Sequence, residues 1–172
     1  MSSLKPCVDA LYEGVDRVAE IIPGLPKCEV LLIRLLLLTG EALQRDVEAK
    51  LKPFDMNDSD FRTLMMLYSS AEGSSTPGEL CALAEQKPTN MTRITNLLAK
   101  RGLITRTHAT HDRRQVVLKI TDEGKHFVRQ MLPPMFPELT AKFACFTAPE
   151  RKTFEHLLKK LALHLDPTDA ST

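Results

Sequence analysis

The 172-residue sequence predicts a mainly α-helical fold with one small β-hairpin, and three observations carry this. Apolar residues recur at three- and four-residue steps through most of the chain, the period of helices with one buried face. Two short helical segments flank the tight turn Gln86-Lys87-Pro88, the pattern of a helix-turn-helix. Directly after them, two β-branched or alternating runs enclose a polar turn, the pattern of a hairpin.

Val8, Leu11, Val15, Val18 and Ile22 mark a first amphipathic helix, stopped by Pro23-Gly24-Leu25-Pro26. A long helix follows from about Cys28 to Leu51, nearly all apolar at first and then charged. A helix that is apolar on most sides must be buried by something. In so short a chain, a second copy of itself is the available partner. Pro53 ends this helix, and Asn57 or Ser59 is placed to cap the next, which carries Phe61, Leu64, Met65 and Tyr68.

Glu72-Gly73-Ser74-Ser75 reads as a loop. Thr76-Pro77-Gly78-Glu79 is a capping box, with Thr at the cap, Pro at the first helical position and Glu three residues on. The helix it opens ends near Glu85; the next runs from Thr89 to Arg101, closed by Gly102. Leu103 to Thr107 and Gln115 to Ile120 are the arms of the hairpin. Thr121 caps a helix that runs to Pro133-Pro134. Thr147-Ala148-Pro149-Glu150 opens a last helix with Phe154, Leu157, Leu158, Leu161 and Leu165, ended by Asp166-Pro167. A helix-turn-helix followed at once by a hairpin is a winged helix-turn-helix. The expected division is therefore dimerisation helices over 1–52, a winged helix-turn-helix lobe over 53–121, further dimerisation helices over 122–165, and a disordered tail over 166–172.

Composition narrows the function. With 43% apolar and 26% charged residues the chain is globular rather than disordered. No basic and apolar leader opens it, and its longest apolar run, Val30 to Leu38, is interrupted by Arg34 and too short to span a bilayer. A cytoplasmic protein with no membrane partner is expected. Cys7, Cys28, Cys81 and Cys145 form no C-x-x-C pair or zinc-ligand cluster, so they read as reduced thiols and no metal is expected. His108, His111, His126, His156 and His164 are spread out, with no companion nucleophile or Gly-rich loop. No catalytic constellation and no cofactor are expected, and the chain does not read as an enzyme.

Net charge is only +1, yet the segment 87–119 holds seven net positive charges, leaving the rest six net negative. One strongly basic segment in a near-neutral chain is the electrostatic footprint of a nucleic-acid-binding element. At about 100° per residue, Met91, Ile94 and Leu98 form one apolar stripe of the helix from Thr89 to Arg101. Thr89, Thr92, Arg93, Asn96 and Lys100 gather on the opposite side, with no acid among them. An ordinary solvated face mixes Glu with Lys. Thr, Asn and Arg are the types that read base edges or grip phosphate in a major groove.

The hairpin tip, His111-Asp112-Arg113-Arg114, is cationic. Such a tip can place an Arg in the minor groove, where a narrow groove deepens the negative potential. Asp112 then either pairs with Arg114 and holds its guanidinium in position, or simply makes the turn.

Thr89-Asn90-Met91-Thr92-Arg93-Ile94, Arg101-Gly102-Leu103-Ile104, Asp112-Arg113-Arg114 and Leu118-Lys119-Ile120-Thr121-Asp122-Glu123-Gly124 together resemble the MarR family of ligand-responsive bacterial repressors. Pro77 to Leu83, Leu132-Pro133-Pro134 and Leu31-Leu32-Ile33-Arg34-Leu35 are similar to its EmrR-like branch. The resemblance implies an intertwined homodimer on double-stranded DNA at a pseudo-palindromic operator. Thr89 to Arg101, Asn90 included, would be the reading helix, and Arg114 the wing arginine.

Such repressors release DNA when a small aromatic acid or amphipathic compound enters a crevice between the dimerisation helices and the DNA-binding lobe. Here Arg34 is the candidate for a carboxylate effector, with Met65, Met66 and Tyr68 as adaptable apolar walls. The other reading of Arg34 is an ion pair across the dimer with Glu41 or another acid. Two alternative functions stay open. One is peroxide sensing through a cysteine near the start of the long helix, although the family's sensing position falls closer to Ile33 than to Cys28. The other is a protein–protein adaptor of the same fold that does not bind DNA.

Overall fold

The structure is a computed structural model that describes residues 3–84, 86–108 and 116–166. Helix α1 spans Lys5–Ile21 and α2 spans Lys27–Leu51, followed by a 3-10 turn at Lys52–Phe54. Helix α3 (Asp58–Ser69), strand β1 (Ser74–Ser75), α4 (Pro77–Ala84) and α5 (Pro88–Lys100) come next. Strands β2 (Ile104–His108) and β3 (Val116–Ile120) form the hairpin. Helix α6 (Asp122–Met131), a 3-10 turn at Pro133–Met135, α7 (Phe136–Lys142) and α8 (Ala148–His164) complete the chain. This is the mainly helical winged fold that the sequence pattern implies.

The helix starts follow from local chemistry. Asn57, not Ser59, caps α3: its Oδ1 accepts from the Asp60 amide at 2.9 Å, while Asp60 Oδ2 accepts from the Asn57 amide at 3.3 Å. The same reciprocal box joins Thr76 with Glu79 and Thr147 with Glu150. In both boxes the hydrogen bonds hold the glutamate carboxyl below its ordinary range. Gly102, at φ 71°, ends α5 in the left-handed region that only glycine enters without cost.

Two elements depart from expectation. Ser74-Ser75, read as loop, is a third strand, because it pairs antiparallel with Lys119 and Leu118 to give the sheet order β1-β3-β2. Its strand character comes from a partner far along the chain rather than from its own residues. Helix α7 lies beyond the Pro-Pro break, where seven residues are too few to carry a period.

One core unites the lobe. Leu64 and Leu67 of α3, Leu80 of α4, Met91, Ile94 and Leu98 of α5, Leu118 of β3 and Val128 and Met131 of α6 are buried together beneath Leu51 at the end of α2. The remaining helices lie outside it. In α1 only Val15 is buried, and α8 has no buried residue. Leu32, Ile33 and Leu37 of α2 and Leu157, Leu158, Leu161, Leu163 and Leu165 at α8 face outward. Helix α7 is tied to α2 by charge: Asp46 meets Lys50 at 2.7 Å and Lys142 at 2.8 Å, and Lys50 also meets Glu138 at 2.6 Å. The Lys142 and Lys50 ammonium groups hold the Asp46 carboxyl below the ordinary carboxylate range. Among the described residues, no helix is long and apolar enough to cross a membrane.

Candidate nucleic-acid interface

Helix α5 buries Met91, Ile94, Thr95 and Leu98 against the core and leaves Thr89, Thr92, Arg93, Asn96 and Lys100 exposed. The wheel thus places its two faces where the structure has them. The exposed face is not uniform, however. The side chains of Thr89, Asn96 and Lys100 make no hydrogen bond or ion pair among the described residues, and at about 100° per residue they form the middle of that face. Both of its flanks are already engaged within the chain.

Arg93, with half its side chain exposed, donates from Nη2 to Asp60 Oδ1 at 3.1 Å and from Nε to Asn90 Oδ1 at 3.0 Å. Asn90, half-buried, donates in turn to the Gln86 side chain. The Thr92 hydroxyl donates back to the Pro88 carbonyl at 3.0 Å. The sequence placed Arg93 and Thr92 on the polar side of the helix, and the resemblance put Asn90 in the reading helix, but neither gave any sign of these partners. Asp112, Arg113 and Arg114 of the wing tip lie outside the described residues.

Two cations were missed as individuals. Arg106 of β2 reaches across to α5 and donates from Nη2 to the buried Thr95 hydroxyl at 2.8 Å. With Pro77, Thr92 and Val116 it lines a shallow hollow of about 170 Å³ beside the exposed face. Arg101 donates from Nη1 to the Asp55 carbonyl at 3.2 Å and stacks 5.2 Å from the Phe127 ring centre. Both fell within the basic segment. A guanidinium in such a segment, facing a Thr on the rim of the apolar stripe, is the only signal that the sequence offered.

The candidate effector residues do not meet within one chain. Arg34 is exposed on α2 at the rim of an apolar hollow of about 350 Å³ between α1 and α2, lined by Leu11, Val15, Val18 and Val30. Glu41 pairs with Arg45, and Arg34 makes no ion pair among the described residues. Met65, Met66 and Tyr68 instead pack on the core of the lobe from α3. Cys7, Cys28 and Cys145 are exposed free thiols and Cys81 is half-buried. Cys28, in the first turn of α2, hydrogen-bonds to neither Tyr12 nor Tyr68 among the described residues.

This geometry has relatives. The sequence is 35% identical to the transcriptional repressor MprA of Escherichia coli over 142 residues, 82% of this chain and 80% of that protein. The chain belongs to the MarR family. The MarR family model matches residues 54–115, which hold α3 to the start of the wing. A crystal structure of a mutant MarR from Escherichia coli complexed with operator DNA superposes with a TM-score of 0.67 at 28% identity, covering 83% of this chain and 96% of that one. Sco3205, a MarR-family regulator from Streptomyces coelicolor, superposes at 0.76 over 87% of this chain and 95% of its own, and at 22% identity it bears on the fold alone. As a MarR-family member, the chain is a winged helix-turn-helix transcriptional regulator of the EmrR-like branch and not an enzyme.

Proposed function

We propose that this MarR-family chain is a cytoplasmic repressor that binds double-stranded DNA at a pseudo-palindromic operator as a homodimer, and that a small aromatic acid releases it. The observation that carries the DNA half is the acid-free middle of the exposed face of α5, where Thr89, Asn96 and Lys100 have no side-chain partner among the described residues, in a chain that is net negative outside 87–119. The relative solved on operator DNA supports the same reading. Helices α1, α2, α7 and α8 would assemble the dimer, with their outward leucines supporting that role. The lobe over 53–121 would carry the DNA contacts, with Arg113 and Arg114 at the wing tip.

Salt-dependent titrations of variants test the DNA half. Asn96→Ala should change which base is preferred at one position of each half-site, at a cost of about 5- to 150-fold in affinity. Lys100→Ala should weaken all sequences alike and make the salt dependence shallower by about one charge per subunit. Unchanged base preference and unchanged slope in the two variants would take α5 out of the groove.

The effector half rests on Arg34, a cation without an ion-pair partner among the described residues, at the rim of an apolar hollow. A carboxylate head with an aromatic body matches that pairing of charge and apolar wall. Salicylate should therefore raise the melting temperature and loosen DNA, since a ligand shifts the equilibrium only by its differential affinity. Arg34→Ala should abolish both responses and leave the operator affinity of the free dimer intact. Calorimetric titration with salicylate checks this, and equal affinity for the two proteins would return Arg34 to a structural role.

A further inference from the structure

We infer that Asp60 fixes the pose of the reading helix through Arg93, which makes Arg93 a positioning residue and not a base reader. The inference deepens the DNA-binding reading above and rests on it.

Asp60 lies in the first turn of α3 and is 2% exposed. Its two carboxylate oxygens are divided between two donors. Oδ2 accepts from the Asn57 amide at 3.3 Å, closing the cap of α3. Oδ1 accepts from Arg93 Nη2 at 3.1 Å, 33 residues along the chain. A buried carboxylate deprived of its cation is strongly destabilising, so this contact resists opening. An arginine committed in this way cannot swing out to present its fork to a guanine edge without abandoning that charge.

The grip continues along the helix. Arg93 Nε donates to Asn90, and Asn90 donates to Gln86 in the turn between α4 and α5. At the far end of α5, Arg101 donates to the Asp55 carbonyl while lying over Phe127. Asp55 is the one non-glycine residue at positive φ among the described residues, at 52°. Arg93 and Arg101 are eight residues apart, about 12 Å along the helix axis. Two attachments at that separation set the direction of an axis as well as its position. Both end on one short segment, Asp55 to Asp60, which follows the 3-10 turn at the end of α2. The joint below the long helix therefore holds the reading helix at its middle and at its C-terminal end.

The test uses a duplex enriched from a randomised pool by the unaltered protein, with a scrambled duplex as control. Asp60→Asn keeps the shape but leaves one oxygen for two donors. It also removes a negative charge, so electrostatics alone predicts tighter binding to both duplexes. Positioning predicts the opposite sign: about tenfold weaker binding to the enriched duplex, with the scrambled duplex held at least as well as before. Arg93→Met should enrich the same sequence as the unaltered protein. Adding it to Asp60→Asn should lower the ratio of enriched to scrambled affinity no further than either change does alone.

All measurements are made well below the melting temperature of each variant. Should Asp60→Asn not fold, the half-exposed Arg93→Met carries the test through its enriched sequence and its ratio. A lower melting temperature with an unchanged ratio, a new base preference in Arg93→Met, or additive losses would each overturn the inference. If the unaltered protein enriches no sequence, the DNA reading itself fails. If it does, and the variants hold that duplex equally well, only the role of Asp60 fails.

Discussion

Gly124→Ala should leave a chain that cannot close its lobe. Gly124 is the third residue of α6, and its amide donates to the capping Thr121 hydroxyl at 2.9 Å. A Cβ added there would meet the Leu103 carbonyl oxygen at 2.2 Å and a branch of Ile120 at 2.9 Å. The obstacle is backbone, so no rotamer relieves it. Leu103 is also pinned, because its carbonyl accepts from the Thr121 amide at 3.1 Å, and the Thr121 hydroxyl holds the Gly102 carbonyl at 2.7 Å. Relief requires α6 to separate from the root of the hairpin, opening the core at Leu103, Ile120 and Val128. Ordinary overpacking costs about 1–3 kcal/mol where side chains can give. A clash with fixed backbone should exceed about 3 kcal/mol, a large share of the roughly 5–15 kcal/mol that holds a domain together. Urea titration followed by far-UV circular dichroism measures it, and an unfolding midpoint equal to that of the unaltered protein would refute the close approach.

Leu157→Glu combined with Leu161→Glu should give a monomer that has lost its operator. Both leucines lie outward on α8, at 54% and 39% exposure, and α8 contributes nothing to the core of its own chain. Two carboxylates there cost a single chain little, whereas a leucine-lined interface would have to bury them unpaired. Each half-site would then be bound singly, and the linkage between two reading helices is worth about 10²–10⁴ in affinity. Sedimentation at micromolar concentration, paired with a DNA titration, reads both effects. A dimer with unaltered DNA affinity would place the assembly surface elsewhere.

What the sequence made legible was local. Thr76, Thr121 and Thr147 each cap a helix within three residues of themselves, so their caps could be read without any tertiary knowledge. The two faces of α5 were legible for the same reason, since the helical period alone separates Met91, Ile94 and Leu98 from Asn96 and Lys100. Partners were not. Nothing near Arg93 announces a buried Asp60 33 residues away, and the wheel that put Arg93 on the polar side could not show it already engaged. Ser74-Ser75 carries no strand signal of its own because Lys119 and Leu118 supply it. The family resemblance lines one crevice with α2 and α3, which is what joined Arg34 to Met65. Within one chain, along a 25-residue helix of about 1.5 Å rise per residue, Arg34 is far from the joint between those helices and faces α1.

The central claim is that two copies of α5 read one duplex together. Sequencing the DNA that the full-length protein enriches from a randomised pool tests it most directly. A two-fold dimer requires inverted half-sites whose centres lie about one helical turn, roughly 10–10.5 base pairs, apart. That spacing is the expected result. Enrichment of a single unpaired motif, or of no motif at all, would contradict the account.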